Sequence, residues 1–349
     1  MGRSVTLKDI ARETGVDAST VSRALDPSAQ SLLTSEVVER VRDAAERMGY
    51  RKNHLARGLR TNRTMTVGMV LPDITNTLFA PIVRGAESVL EPMGYASIIV
   101  NTDDDPDREE TLVNVLLERG VDGIIDAAAH RSIPRIEAVR GQGVPIVTAN
   151  RGIDRLSVPS VVNDDAVGIR LVLRHLHDWG HRLIAHVAGP VSRTTGQLRL
   201  ESFWREASAL GLDLPQEAAI NSSRFDEDEG RRCTLELIDQ GWPFTAIVCA
   251  NDRLALGAID ALNRRGLSCP DDVSITGFND LPFLSLIPPG LTTVRVQQFG
   301  VGRLSAEILV RMMTEPEAPI ASTTVLPVTL VVRGSVAAPR VETSSGSGV

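Results

Sequence analysis

Apolar positions in the first fifty residues recur at helical spacing, in two short runs and one longer one. Leu7, Ile10 and Ala11 share a face of a first helix, Gly15 supplies a tight turn, and Val16, Val21 and Leu25 line the inside of a second. Val37, Val38, Val41, Ala44, Ala45 and Met48 mark a third helix, with Thr34 as N-cap, Glu36 in the first turn and Gly49 at the end. Helices this short have little stability alone. The three are expected to share one small core, a helix-turn-helix whose second helix presents Ala18, Ser19, Thr20, Ser22 and Arg23 outward.

From Met65 the period changes, and short apolar strands alternate with amphipathic helices, the pattern of parallel α/β units. Strands are expected at Val67–Leu71, Ala96–Val100, Gly123–Asp126, Pro145–Ala149, Ser160–Val162, Ile184–Val187, Ala246–Cys249 and Ser274–Gly277, with a last one near Thr324–Val332. Helices are expected near 80–92, 107–119, 133–141, 165–179, 196–210, 226–240, 252–265 and 299–313. So many units exceed one open sheet, so the body reads as two doubly wound lobes with a cleft between them. The late position of the last helix and strand implies that the chain crosses between lobes more than twice. The fold class is α/β, an all-α headpiece followed by a two-lobed body of parallel sheets.

The expected divisions are a helix-turn-helix domain over 1–52, a linker over 53–64, the body over 65–340 and a polar, disordered tail over 341–349. Within the body, the first lobe takes about 65–161 and 295–323, the second about 162–294 and 324–340. In the linker Asn53 can cap a short helix on which Leu55 and Leu59 share a face. A helix of that length needs a partner to hold it. The tail carries no heptad to zip dimers into tetramers.

The net charge of -7 argues against a nucleic-acid partner only until the chain is divided. Residues 1–63 hold twelve basic against eight acidic side chains, whereas the remainder holds 25 basic against 36 acidic. A basic head on an acidic body is the footprint of a phosphate-binding module joined to a domain that avoids DNA. Cys233, Cys249 and Cys269 are scattered, without zinc-type spacing, and suit reduced thiols in a cytoplasm. The start does not resemble a signal peptide, and no run reaches the roughly 18 apolar residues of a membrane span. A soluble, cytoplasmic protein is expected.

No Walker loop, dinucleotide fingerprint or nucleophile elbow is present, so neither hydrolytic nor redox chemistry is expected, nor any cofactor or metal. His175, His177, His181 and His186 cluster, but Gly180 interrupts them, and they read as a solvated helix end. The acidic run Asp103–Asp107 precedes a helix whose positive end welcomes carboxylates, and it reads as a solvated cap.

Head, linker and two-lobed body in this order resemble the lac and gal repressor family of bacterial transcriptional regulators. Six segments carry the resemblance over nearly the whole length: Val5–Ala11, Thr20–Leu25, Asn53–Leu59, Ala188–Pro190, Ala250–Gly257 and Leu291–Val294. It implies a body like that of periplasmic binding proteins, and a homodimer that binds a palindromic double-stranded operator and is released by a small effector in the cleft.

Residue by residue, Arg23 can pair with a guanine edge, Ala18 can pack on a thymine methyl and Ser19 can serve either base. Thr6, Thr20 and Ser22 suit phosphate contacts, while Asp17 caps the second helix. The resemblance implies a hinge helix at Asn53, Ala56 and Leu59, with Leu59 wedged into the minor groove or else packed on its dimer mate. Gly58 and Lys52 depart from the usual hinge and weaken it.

For the effector the expected set is Asn76, Phe79, Asn150, Arg193, Thr195, Arg199, Phe225, Asn251, Asn279 and Gln298, amides and an aromatic that suit sugar hydroxyls or base edges. Asn279 stands where many relatives carry aspartate. Two bland alternatives stay open, with Asn251 a helix cap only and Arg199 a surface ion-pair residue. A sugar or sugar derivative is the favoured effector. A purine-type corepressor is the alternative, given Arg193, Thr195 and Arg199; a solute-binding protein and a sugar-processing enzyme are readings from other classes.

Overall fold

The computed structural model describes residues 5–26, 30, 32–50, 63–130, 139–153 and 158–340. The chain divides into two compact units, Met1–Thr64 and Met65–Val349. In the first, α1 (Leu7–Thr14), α2 (Ala18–Ala24) and α3 (Ser35–Arg47) enclose a core of Ile10, Val21, Ala24, Val38, Val41, Ala44 and Ala45. Gly15 takes the left-handed φ of 70° between α1 and α2, a conformation in which glycine carries no Cβ penalty. Thr34 occupies the N-cap position of α3, but its side chain makes no capping hydrogen bond. The expected hinge residues Asn53, Ala56 and Leu59 lie outside the described residues.

The second unit alternates strand and helix as its periodicity predicts. Its first sheet has six parallel strands in the order β11-β5-β4-β3-β1-β2, made by β1 (Thr66–Leu71), β2 (Ala96–Asn101), β3 (Gly123–Asp126), β4 (Ile146–Ala149), β5 (Ser160–Asn163) and β11 (Thr323–Leu326). The second has four parallel strands in the order β7-β6-β8-β9, made by β6 (Ile184–Ala188), β7 (Ala219–Asn221), β8 (Ala246–Cys249) and β9 (Ser274–Thr276). An antiparallel pair, β10 (Thr293–Arg295) with β12 (Thr329–Val331), extends it through a bridge from Thr276 to Thr292. The helices are α4 (Phe79–Leu90), α5 (Pro106–Glu118), α6 (Asp165–Asp178), α7 (Thr194–Ala209), α8 (Glu227–Asp239), α9 (Asp252–Arg264) and α10 (Gln298–Thr314). Most of the helix expected over 133–141 falls outside the described residues.

Three departures from expectation have local causes. The run near Thr324–Val332 is two strands in different sheets, because Pro327 has no N–H to give a ladder and the chain turns there. β7 and β10, each of three residues, are too short to show an alternation. Val162, Asn163 and Thr324–Leu326, assigned above to the second lobe, pair in the first sheet, while Arg295, assigned to the first, pairs in β10 with β12.

Among the described residues the chain passes between the two sheets after β5, after β10 and after β11. These crossings are bonded to one another, Gln297 N–H donating to the Asn163 amide oxygen at 2.9 Å and Asp164 N–H to the Leu326 carbonyl at 3.0 Å. Close helix packing fixes each sheet's flank. A Cβ on Gly302 of α10 would overlap the Ile82 carbonyl of α4, so those backbones touch only because glycine sits there.

The histidine run divides: His175 and His177, half-buried, close α6 as the helix end expected, and the other two do not. His181 and His186 are buried, the first bonded to Thr245, Ser274 and the Ala337 carbonyl, the second to the Val248 carbonyl at 2.8 Å and stacked on Phe203 at 4.6 Å. Strand β6 starts two residues after Arg182, so the residues beyond Gly180 enter the core.

Candidate functional site

On α2, Ser19 and Arg23 are exposed while Ala18, Thr20 and Ser22 are half-buried, and Val21 and Ala24 point into the core. Thr6, exposed, stands at the start of α1. Asp17 caps α2 as expected, its carboxylate accepting the Thr20 N–H at 2.8 Å, the Ser19 hydroxyl at 2.5 Å and the Thr20 hydroxyl at 2.7 Å. These bonds, led by that from Ser19, hold the Asp17 carboxyl far below the usual carboxylate range. They also occupy the two hydroxyl protons. Ser19 and Thr20 therefore present lone pairs, which suit base-edge donors, and must rotate away from Asp17 before they can donate to phosphate.

In the second unit a cleft of about 320 Å³, its open mouth included, is lined by Asn76, Leu78, Phe79, Asn150, Arg151, Thr195, Arg199, Phe225, Asn251 and Asn279. Every one of these follows the carboxyl end of a strand. Asn76 to Phe79 follow β1 and Asn150 with Arg151 follows β4; Thr195 and Arg199 follow β6, Phe225 follows β7, Asn251 follows β8 and Asn279 follows β9. Parallel sheets place ligands there because the loops on either side of the point where strand order reverses run to opposite faces and leave a crevice between them. Both sheets reverse at that end, at β1 and at β6.

Local chemistry sets each side chain. Asn76 accepts the Leu78 N–H at 3.0 Å through its amide oxygen. Asn251 caps α9, its oxygen accepting the Leu254 N–H at 2.8 Å and its nitrogen donating to the Phe225 carbonyl at 3.4 Å. Asn150 and Asn279 have φ of 66° and 121°, backbone that asparagine tolerates better than most side chains and that costs free energy where it is held. Phe225 lies over Gly189, where a Cβ would overlap its ring. Asp252, buried, positions the Asn279 loop by accepting the Leu281 N–H at 2.8 Å and the Thr293 hydroxyl at 2.5 Å. Burial pushes its carboxyl up to about 6.

Arg199 is buried, not a surface residue. Its Nε donates to Asp165 at 2.8 Å, its Nη1 to the Ala250 carbonyl at 2.6 Å, and its plane lies 3.7 Å over the Phe278 ring. Its Nη2 also lies 2.7 Å from Asp165, so only one N–H on each Nη remains beyond these protein partners. Asp165 behind it is pushed up by desolvation, against the pull of Arg199.

Two expected residues are placed elsewhere. Gln298 donates to the Asn279 backbone carbonyl at 3.0 Å and does not line the cleft. Arg193 turns to Asp104, with Nη2 lying 3.1 Å from its carboxylate, and to His130. Arg151 joins the same carboxylate at 3.0 Å. Asp104 is thus no solvated cap, although its neighbour Asp105 does cap α5, accepting the N–H groups of Asp107 and Arg108. The acidic run carries two roles that composition alone does not separate.

Arg253, not among the expected site residues, joins Asp73 of the β1–α4 loop at 2.8 Å to Glu227 of α8 at 2.7 Å. Its position beside Asn251 and Asp252 was the available signal. Among the described residues no group of His, Cys, Asp or Glu is placed to hold a metal, and no helix is long and apolar enough to cross a membrane.

Comparison with known proteins matches the same two parts. A model described as bacterial regulatory proteins, lacI family, covers residues 6–53, and one described as a periplasmic binding protein-like domain covers 173–336. The chain is 31% identical over 315 residues to catabolite control protein A of Priestia megaterium, 89% of this chain and 93% of that one. The lac repressor dimer bound to operator and the anti-inducer ONPF superposes with a TM-score of 0.85 at 26% identity, over 96% of this chain and 100% of its own. A LacI family transcriptional regulator from Enterococcus faecium with bound ribose gives 0.69 at 30% identity, over 79% and 100%.

Proposed function

Since the chain belongs to the lacI family of bacterial regulatory proteins, we propose that it represses transcription by binding a palindromic operator as a homodimer and is released by a small sugar-like effector. The observation that carries the proposal is the cleft. Its lining comes from the carboxyl ends of strands in both sheets, so a ligand seated there contacts both at once. A ligand that binds one arrangement of the sheets more tightly than the other shifts their equilibrium by that difference in affinity, and DNA affinity follows by linkage.

In this reading Arg23, Ser19 and Ala18 read base edges, while Thr6, Thr20 and Ser22 hold phosphates. Asn53, Ala56 and Leu59 form the hinge contact with DNA. Asn76, Phe79, Asn150, Thr195, Arg199, Phe225, Asn251 and Asn279 hold the effector. Arg193 and Gln298 support it from outside the cleft, and with Arg193 committed to Asp104 a purine-type ligand loses one of the three residues that favoured it.

The test is binding of the full chain to palindromic sites upstream of neighbouring genes, measured across salt concentration. Log affinity is expected to fall linearly with log salt, and removal of residues 1–64 to abolish DNA binding while effector binding persists. Absence of salt-dependent affinity for any such site refutes the proposal.

A further inference from the structure

The polar lining of the cleft is unevenly divided between donors and acceptors. Two arginines, Arg151 and Arg199, line its wall, and no aspartate or glutamate is among the lining residues. The amide oxygens of Asn76 and Asn251 each already accept a backbone N–H, and Asn251 gives one N–H to the Phe225 carbonyl, so toward a ligand Asn251 keeps one N–H and Asn76 offers its amide N–H groups. The lining acceptors that remain are the amide oxygens of Asn150 and Asn279 and the Thr195 hydroxyl. The counter-charges stand behind the wall, Asp165 serving Arg199, and Asp104 shared by Arg151 with Arg193.

A neutral sugar brings one donor with every hydroxyl, and each buried donor needs an acceptor. This wall has few to give. An anionic oxygen group brings acceptors only, and its hydrogen bonds to guanidinium are of the stronger, charge-assisted kind. We propose that the effector is a polyol bearing an anionic oxygen group, a carboxylate or a phosphate, seated by Arg151 and Arg199. Asn279 admits it, since an aspartate there would set a like charge beside the anion. Arg151 follows β4 of the first sheet and Arg199 lies on α7 of the second, so the anion ties the two sheets together. The inference rests on the reading of the cleft as the effector site.

The test takes the full chain and a panel of hexonates, hexuronates and sugar phosphates, each beside its neutral parent at matched concentration, with melting temperature and then calorimetric affinity as readouts. At least one acid is expected to raise the melting temperature where its parent does not, and the carboxylate and phosphate arms name the anion. R151Q, which leaves Asp104 its pair with Arg193, is expected to weaken that acid about tenfold and its parent far less. N279D is expected to weaken the acid at least as much and shift preference to the neutral parent. Neutral sugars binding as tightly as their acids overturns the inference and leaves the cleft reading standing. Unchanged acid affinity in R151Q overturns the seat at Arg151. Failure of every compound overturns both.

Discussion

The outer face of α2 and the wall of the cleft use polar residues of similar kinds in opposite ways. On α2, Arg23 stands exposed on a core to which it contributes nothing, and Asp17 ties the neighbouring hydroxyls to the backbone. In the cleft, Arg199, Asn251 and Asn279 are each buried, and the first two are bonded to protein groups that would otherwise be orphaned. A contact residue on α2 can therefore be removed without loss of the fold. Arg199 or Asn251 cannot be removed without a cost in stability, because the bonds that aim each also hold up its surroundings.

The largest test of that contrast is R199M. It leaves Asp165 buried without its cation, and the expected loss of stability is about 3–5 kcal/mol in chemical denaturation, together with loss of effector binding. Adding D165L to R199M is expected to recover most of the stability and none of the binding. Recovery of binding in the double variant would break the contrast.

Acid provides a second separation. His186 is buried neutral, and burial holds its pKa down to about 4 against an ordinary 6.5. Between those values the unfolded chain binds the proton and the folded chain does not, so stability falls as pH drops through that window, by about 3 kcal/mol at its lower end. Asp252, raised to about 6, takes up its proton first in the folded state and offsets part of the loss as pH falls from 6 toward 3.8. The described part of the headpiece has no histidine, and its strongly shifted group, Asp17, gives up its contribution only below the ordinary carboxylate range. Between pH 7 and 5 the denaturation midpoint of the second unit is expected to fall and that of the first to hold, with H186F flattening the fall.

The alternation of strand and helix was legible in the sequence because each element satisfies a period that its own residues carry. Thr323–Val331 was not, because Pro327 divides the run and only the partners β5 and β10 say which half joins which sheet. The cleft set was legible as far as position after a strand end decides it. Arg193 and Gln298 were misplaced because their direction is decided by Asp104 and by the Asn279 carbonyl, groups distant in sequence. The burial of His181 and His186 is not legible for the same reason, since burial of a polar ring depends on the carbonyls that meet it.

The contrast sharpens at Arg23. R23A is expected to weaken specific DNA binding by about 1–3 kcal/mol with relaxed discrimination at one base pair. Its unfolding midpoint is expected to stay within about 0.5 kcal/mol of the parent, as for surface substitutions away from structural bonds. A large fall in stability would show that the α2 face holds up its core after all.

The smallest expected effect is at Arg253, which joins the β1–α4 loop to α8 through Asp73 and Glu227. The Arg253–Asp73 pair is partly exposed, at 21% and 33% of the two side chains, so solvent screens it and its worth is under about 1 kcal/mol. Desolvation raises the Asp73 carboxyl, but the Thr75 hydroxyl and N–H together with Arg253 outweigh it, so the net shift is downward. D73N removes the charge and keeps the shape, and Arg253 retains Glu227, so no cation is stranded. The expected outcome is little change in unfolding midpoint and an effector affinity reduced by at most a few fold, because this pair spans the two sheets that a ligand must hold together. Equal loss in stability and affinity would instead make Arg253 a structural tie of the β1–α4 loop, with no part in how the sheets are set.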